Sequence, residues 1–257
     1  GFLGHAGWSA AVDARSLDIV TAGSTFTSTG GVLTLDGELS DYVFNNDGVF
    51  VHNDGTVTIT TAATTRIDGA GASGNQFYNL IINHASAVVQ MYSDLIVANN
   101  LTITAGTLDT TGSNHALTVT GNTSLGAGAG AGGADEATLT CNASTVSLGS
   151  TYSSDYGLYV KRGGTFGGGT GAHTMGSISM EDYATAKLTL TTHASGTTLN
   201  AGDYGSDYIV AVGADSTITS TNSLLVLATS KSEATYNLNL HDHFNNLTVN
   251  SSGKKFY

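Results

Sequence analysis

The chain has 257 residues, 34 of them glycine and none proline, with 20 acidic against 8 basic side chains and a formal charge of -12. The lack of proline and of any Gly-X-Y period excludes collagen, polyproline and mucin-like stalks, and the charge opposes extended contact with nucleic acid or anionic lipid. Charged residues make up only 11% of the chain, so it lacks the charge-rich, apolar-poor signature of disorder and is expected to fold.

The first 40 residues show no regular period. Trp8, the single tryptophan, lies in Gly7-Trp-Ser-Ala-Ala-Val12. Residues 1–40 read equally as an end cap and as a subunit contact, since the end of a β-stack exposes core and strand edges that something must cover. Residues 41–257 read as one repeat region. Strand candidates recur at Val32-Leu-Thr-Leu35, Val49-Phe-Val51, Val57-Thr-Ile59, Leu80-Ile-Ile82, Val88-Val-Gln-Met91, Leu95-Ile-Val97, Leu101-Thr-Ile103 and Leu117-Thr-Val119. Alternation of aliphatic with Thr puts one face of each strand against a core.

The second half continues at Leu139, 146–148, 158–160, 178–180, 188–190, 209–212, 224–227, 238–240 and 247–249. Nowhere do apolar residues recur at helical spacing over ten or more positions, so the chain is all-β. Asn46-Asp-Gly48 and Asn53-Asp-Gly55 supply residues that accept positive φ at tight corners or hairpins. Three strands per coil give coils of about 20 to 25 residues and on the order of ten rungs. Two glycine-rich stretches, 125–133 and 163–171, have little apolar bulk and are expected to leave the stack as loop insertions. The predicted fold is a parallel β-solenoid, right-handed β-helix-like, with short rungs.

Two heptapeptides nearly coincide, Phe77-Tyr-Asn-Leu-Ile-Ile-Asn83 and Phe244-Asn-Asn-Leu-Thr-Val-Asn250. Together with Gly48-Val-Phe-Val-His-Asn-Asp-Gly-Thr-Val-Thr58 and Leu101-Thr-Ile-Thr-Ala-Gly-Thr-Leu-Asp109, they resemble the repeat modules of large bacterial surface proteins and phage structural proteins. The resemblance covers about residues 41–122 and 244–257, and it implies a parallel β-helix with a structural or adhesive role. Overlaying 244–257 on 77–90 gives a last rung that is incomplete. Lys254, Lys255, Phe256 and Tyr257 are then expected, with Trp8, to form an interface with another subunit or with further sequence. The chain does not begin with Met, and a processed or partial polypeptide is expected.

Chemistry-bearing clusters are few. His241 and His243 stand two apart, so on a strand both would face one side and could hold Zn or Cu, yet no third ligand is identifiable. Asp36, Glu38 and Asp41, and separately Asp203 and Asp207, are oxygen-rich, but their spacings match no defined Ca²⁺ loop. No cofactor is expected. Cys141 in Ala137-Thr-Leu-Thr-Cys141 reads as a small buried side chain. Glycosidase or lyase chemistry needs paired carboxylates, or a base beside cations, and neither is evident. Lys161-Arg162 is the one internal basic pair, and Tyr152, Tyr156 and Tyr159 could line a groove.

The expected function is therefore non-enzymatic: an extracellular, cell-surface or virion structural protein that builds or decorates a fibre, filament, surface layer or capsid appendage, with adhesion a related role. Its partners would be further copies, other structural subunits or a surface glycan, with no nucleic acid; no apolar run reaches the ~18 residues that span a bilayer. A carbohydrate-active β-helix of the tailspike depolymerase kind and a non-catalytic glycan-binding module are the alternatives.

Overall fold

The computed structural model describes residues 9–128, 136–149, 157–191, 197–199, 208–221, 223–228, 235–239, 246–250 and 255–256. Among them every regular element is a β-strand, and every strand pairing is parallel. The strands form three ladders, so each turn of the coil adds one strand to each of three sides. The chain is a β-solenoid.

On the first side, Val12–Ala14, Val32–Leu35, Thr56–Ile59, the start of Asn79–Met91, the start of Leu101–Asp109, Thr123–Leu125, Leu158–Val160, Ile178–Met180, Tyr208–Val212 and Thr235–Asn239 follow one another. On the second, Leu17–Ile19, Tyr42–Asn46, Thr64–Ile67, the later parts of Asn79–Met91 and Leu101–Asp109, Ala137–Thr140, Gly164–Gly167, Lys187–Thr191 and Thr217–Thr221 do the same. The third begins with Thr25–Thr27 and Val49–Val51 and passes through a bridge from Phe77 to Val97. It continues through Leu95–Val97, Leu117–Val119, Val146–Leu148, His173–Met175, Thr197–Leu199, Leu224–Leu227 and Asn246–Val249.

Alternation within each short strand decides what points inward. Leu33 and Leu35, Val57 and Ile59, Leu80 and Ile82, and Leu101 and Ile103 form two adjoining inner stacks, each side chain at most 3% exposed. Between them Thr34, Thr58, Ile81 and Thr102 line up on the outer face. An inward Leu or Ile in such a stack contributes about 1.5–3 kcal/mol by leaving water, so a strand of three residues holds its place only because similar aliphatic strands lie above and below.

Phenylalanines fill the interior of the early coils. Phe44 lies 4.8 Å from Phe77 and 5.1 Å from Phe50, centroid to centroid, in edge-on arrangements, and Phe26 stacks on Phe50 at 6.1 Å. Edge contacts set the negative ring face against a positive ring edge, worth about 0.5–1.5 kcal/mol per pair beyond burial. They join the second side to the third across the core.

The coil step matches expectation in the first half and departs from it in the second. Val12, Leu33, Val57, Leu80, Leu101 and Thr123, stacked partners on the first side, lie 21 to 24 residues apart. Thr123 to Leu158 takes 35 residues, Leu158 to Ile178 takes 20, and Ile178 to Val210 takes 32. The ladder of the first side stays continuous across the longer steps.

Three sequence expectations are corrected. The ladder already runs through residues 12–35, where Val12, Leu17 and Thr25 open all three sides with Ile19 and Leu33 buried, so regular coiling starts well before residue 41. Residues 163–171 do not leave the stack: Gly164–Gly167 is a strand of the second side, and Phe166 is fully buried. Its glycines answer to crowding, for a Cβ at Gly164 would sit 2.3 Å from the Leu125 carbonyl oxygen and one at Gly168 would sit 2.9 Å from the Phe166 ring. Of the two readings left open for the Asn-Asp-Gly motifs, corner or hairpin, the structure has corners between parallel strands, with Asn53 and Asp54 at φ of 51° and 55°.

The third correction concerns the paired heptapeptides. Leu80–Ile82 lies on the first side, against Val57–Ile59 and Leu101–Ile103, whereas Leu247–Val249 lies on the third side against Leu225–Leu227. The two copies share a strand-and-corner pattern without sharing a register in the coil.

Replacing Phe77 with Ala should lower stability by about 3–5 kcal/mol, because the ring touches two others in a closed core that cannot collapse around the gap. Replacing outward Thr102 with Ala should change it by less than about 1 kcal/mol. Urea unfolding followed by circular dichroism measures both, and equal effects would contradict the assigned inward and outward faces.

Candidate functional surface

Of the residues singled out in the sequence, His241, His243, Trp8, Lys254 and Tyr257 lie outside the described residues, as do Tyr152, Tyr156, Asp203 and Asp207. Lys255 and Phe256 form a short strand whose backbone pairs in parallel with Thr235 and Tyr236 of the same chain. One edge of that segment is thus occupied within the molecule. Among the described residues no group of three or more His, Cys, Asp or Glu converges as a metal site. No helix of the described residues is long and apolar enough to cross a membrane.

The outer faces carry chemistry in three places. At the corner between the third and first sides an asparagine ladder climbs the stack: Asn79 Oδ1 accepts Asn99 Nδ2 at 3.0 Å and the Asn100 amide at 3.2 Å, and Asn100 Oδ1 accepts the Asn122 amide at 2.9 Å. Each side chain satisfies backbone that the bend removes from the ladder, a structural role. The Asn in Phe77-Tyr-Asn-Leu80 is a member of this ladder.

On the second side Arg66 lies over Tyr92 at 4.5 Å and Tyr42 at 5.6 Å while its Nη1 meets Asp41 Oδ2 at 3.2 Å. Asp41, expected in an acidic turn cluster, is thus engaged with a cation on the adjoining coil. At the next site along the chain, Tyr159 donates its hydroxyl to Glu181 Oε1 at 3.1 Å. The Arg162 amide donates to Glu181 Oε2 at 2.9 Å, and Lys161 Nζ lies 5.1 Å from the Tyr159 ring centre. Arg162 lies 5.5 Å from the centre of Tyr183. The sequence flagged Lys161, Arg162 and Tyr159, but Glu181 and Tyr183 belong to the following coil and only the 20-residue step brings them near.

A shallow polar groove of about 380 Å³ is lined by Asn46, Asp47, Gly48, Gly69, Asn75 and Asp94, among others. Its walls are structural: Asn75 Oδ1 accepts the Phe50 amide at 3.1 Å and Asn75 Nδ2 donates to the Gly48 carbonyl at 3.1 Å. No tyrosine lines it, so its two carboxylates and the tyrosine cluster stand apart. Comparison with protein-family models, curated proteins and solved structures yields no match.

Both ends of the stack present apolar surface. At one end Leu17, Ile19 and Phe26 line a cleft of about 230 Å³ beside Val20, which is 68% exposed. At the other, Leu247 and Val249 are 50% and 52% exposed, though they sit in register on Leu225 and Leu227, which are 1% and 0% exposed. Among the described residues no strand stacks beyond them, so their exposure does not come from a change of residue type.

Cys141 is buried next to the end of Ala137–Thr140, its amide donating to Gly167 O at 2.8 Å. Burial first, and the nearby Asp109 charge second, push its thiol far above the usual range. The folded state holds that proton more tightly than the unfolded chain, so its stabilisation is complete below the ordinary thiol range and is lost as pH rises above it. At pH 8 the native protein should react with a disulfide reagent at least about 100-fold more slowly than the urea-unfolded chain. Absorbance of the released thiol reads both rates, and fast native labelling would contradict the closed core at Cys141.

Proposed function

We propose that the chain is a non-enzymatic structural module that assembles through the ends of its β-stack, as part of an extracellular, cell-surface or virion fibre, filament or layer. The observation that carries this reading is the half-exposed rung at Leu247 and Val249, apolar side chains in register with a buried column yet half open to water. The opposite end offers the cleft lined by Leu17, Ile19 and Phe26. In a parallel stack the two faces differ, so the Leu247 and Val249 face of one copy meets the Leu17 and Phe26 face of another and the contact repeats without closing. Such head-to-tail joining extends all three ladders and polymerises the rod.

The described surface supports a passive shaft. Outward Thr, Ser and Asn hydrate it with little charge, and several carboxylates serve as structural acceptors: Asp18 for Asn45, Asp41 for Arg66, Asp94 for the Ala116 amide and Asp109 for the Thr111 amide. A second reading, a non-catalytic glycan-binding module, is favoured by the Tyr159, Lys161, Arg162 and Tyr183 cluster.

Sedimentation velocity and negative-stain imaging across a concentration series test assembly. The parent chain should form rods that lengthen with concentration. The double substitution Leu247→Asp and Val249→Asp should hold it monomeric while leaving the β-sheet spectrum intact, because two carboxylates on the rung cannot be buried against a second copy without several kcal/mol of desolvation. Rods that persist in the variant, or a parent chain that stays monomeric at every concentration, would count against end-to-end assembly.

A further inference from the structure

Lys161 and Arg162 are two of only eight basic residues in a chain of charge -12, and they form the corner between Leu158–Val160 and Gly164–Gly167. The corner is rigid. The Lys161 amide donates to Leu125 O at 2.7 Å on the previous coil, and the Gly164 amide donates back to Lys161 O at 2.8 Å. From the following coil Glu181 takes the Arg162 amide on one oxygen and the Tyr159 hydroxyl on the other.

Glu181 thus clamps the corner, and no ion pair joins it to either side chain. Neither Lys161 nor Arg162 makes an ion pair among the described residues, in contrast to Arg66, whose guanidinium meets Asp41. Each cation is instead held by a ring, Lys161 by Tyr159 and Arg162 by Tyr183. Ring contact orients a cation without neutralising it. Beside the lysine stem stands Gly128, where a Cβ would lie 3.5 Å from Lys161 Cδ, so position 128 itself puts no side chain on that flank.

We propose that this corner binds the carboxylate of an acidic saccharide. Two adjacent unpaired cations can share one oxyanion through charge-assisted hydrogen bonds, and the flanking tyrosines offer flat apolar walls to a sugar ring. The overall charge selects the ligand class. A polyanion as dense as nucleic acid meets repulsion from the whole molecule, whereas a saccharide with one carboxylate per sugar or fewer engages the local cations within a Debye length of about 8–10 Å. The site lies on the flank of the stack and is independent of end-to-end assembly.

Calorimetric titration of the full chain at low salt tests this with three probes: a uronic acid hexasaccharide, the same hexasaccharide with its carboxylates reduced to alcohols, and sodium sulfate. The uronate should bind saturably, and the reduced saccharide and sulfate should bind about tenfold more weakly or worse. Combining Lys161→Gln with Arg162→Gln should weaken uronate binding by about tenfold or more, and Arg66→Gln should leave it unchanged. Should the double variant lose its β-sheet spectrum, Lys161→Gln alone must weaken binding by about threefold or more. Absence of uronate binding, equal binding by the Lys161 and Arg162 variants, or sulfate binding as tight as uronate would overturn the proposal. Rod formation by the variants, read in parallel, separates loss of this site from loss of assembly.

Discussion

Parallel stacking in register is the constraint on which everything else in the molecule depends. A three-residue strand such as Leu117–Val119 has no stability alone; its backbone is satisfied by Leu95–Val97 on one side and Val146–Leu148 on the other. The same stacking places like on like, so Leu101 rests on Leu80 and Leu108 on Val89, and a column of aliphatics becomes continuous. Each coil is therefore both buried by its neighbours and the means of burying them. A stack of this kind has no intrinsic stopping point, and an open end presents unpaired strand edges.

Much of this was legible because the strand code is local. Alternation in Leu-Thr-Ile at 101–103 specifies an inward Leu and Ile and an outward Thr wherever the strand is placed, and the structure has that orientation. What escaped notice were strands poor in aliphatics. Thr123–Leu125, His173–Met175 and Thr197–Leu199 each offer one large apolar residue, too few to mark a period, and they are strands because the coils on either side require partners there. Gly164–Gly167 is the extreme case. Read alone, glycine suggests a loop, yet here the backbone of Gly164 approaches Leu125 so closely that no larger residue fits, and Phe166 supplies all the inward bulk. Local propensity yielded to the geometry of the stack.

The corners show the same division. Gly106 adopts φ of +94° where Leu101–Asp109 turns from the first side to the second, and a Cβ there would lie 2.6 Å from His84 O. Nothing in Thr-Ala-Gly-Thr distinguishes that bend from an ordinary turn, since the crowding comes from the coil below. Glu181 is a comparable case at the surface. Its sequence neighbours suggest a solvated turn, and only the coil step reveals that it clamps Tyr159 and the Arg162 backbone.

The paired heptapeptides lead to a further point about what the repeat encodes. Placed on different sides of the coil, Leu80–Ile82 and Leu247–Val249 keep the same pattern of inward residue, outward residue, inward residue after an asparagine. In both copies that asparagine reaches across to the neighbouring coil, Asn79 Nδ2 to Thr56 Oγ1 at 3.4 Å and Asn246 Nδ2 to the Ser223 carbonyl at 3.2 Å. The unit that recurs is therefore one side of a coil with its leading corner, and not a whole coil. A unit that fits any side tolerates insertions of variable length between sides, which is how coil steps of 20 and 35 residues coexist in one continuous ladder. It also means that side chains such as Lys161, Arg162 and Tyr183 can vary at corners without disturbing the inward columns, so the fold separates its stabilising positions from those free to acquire a ligand.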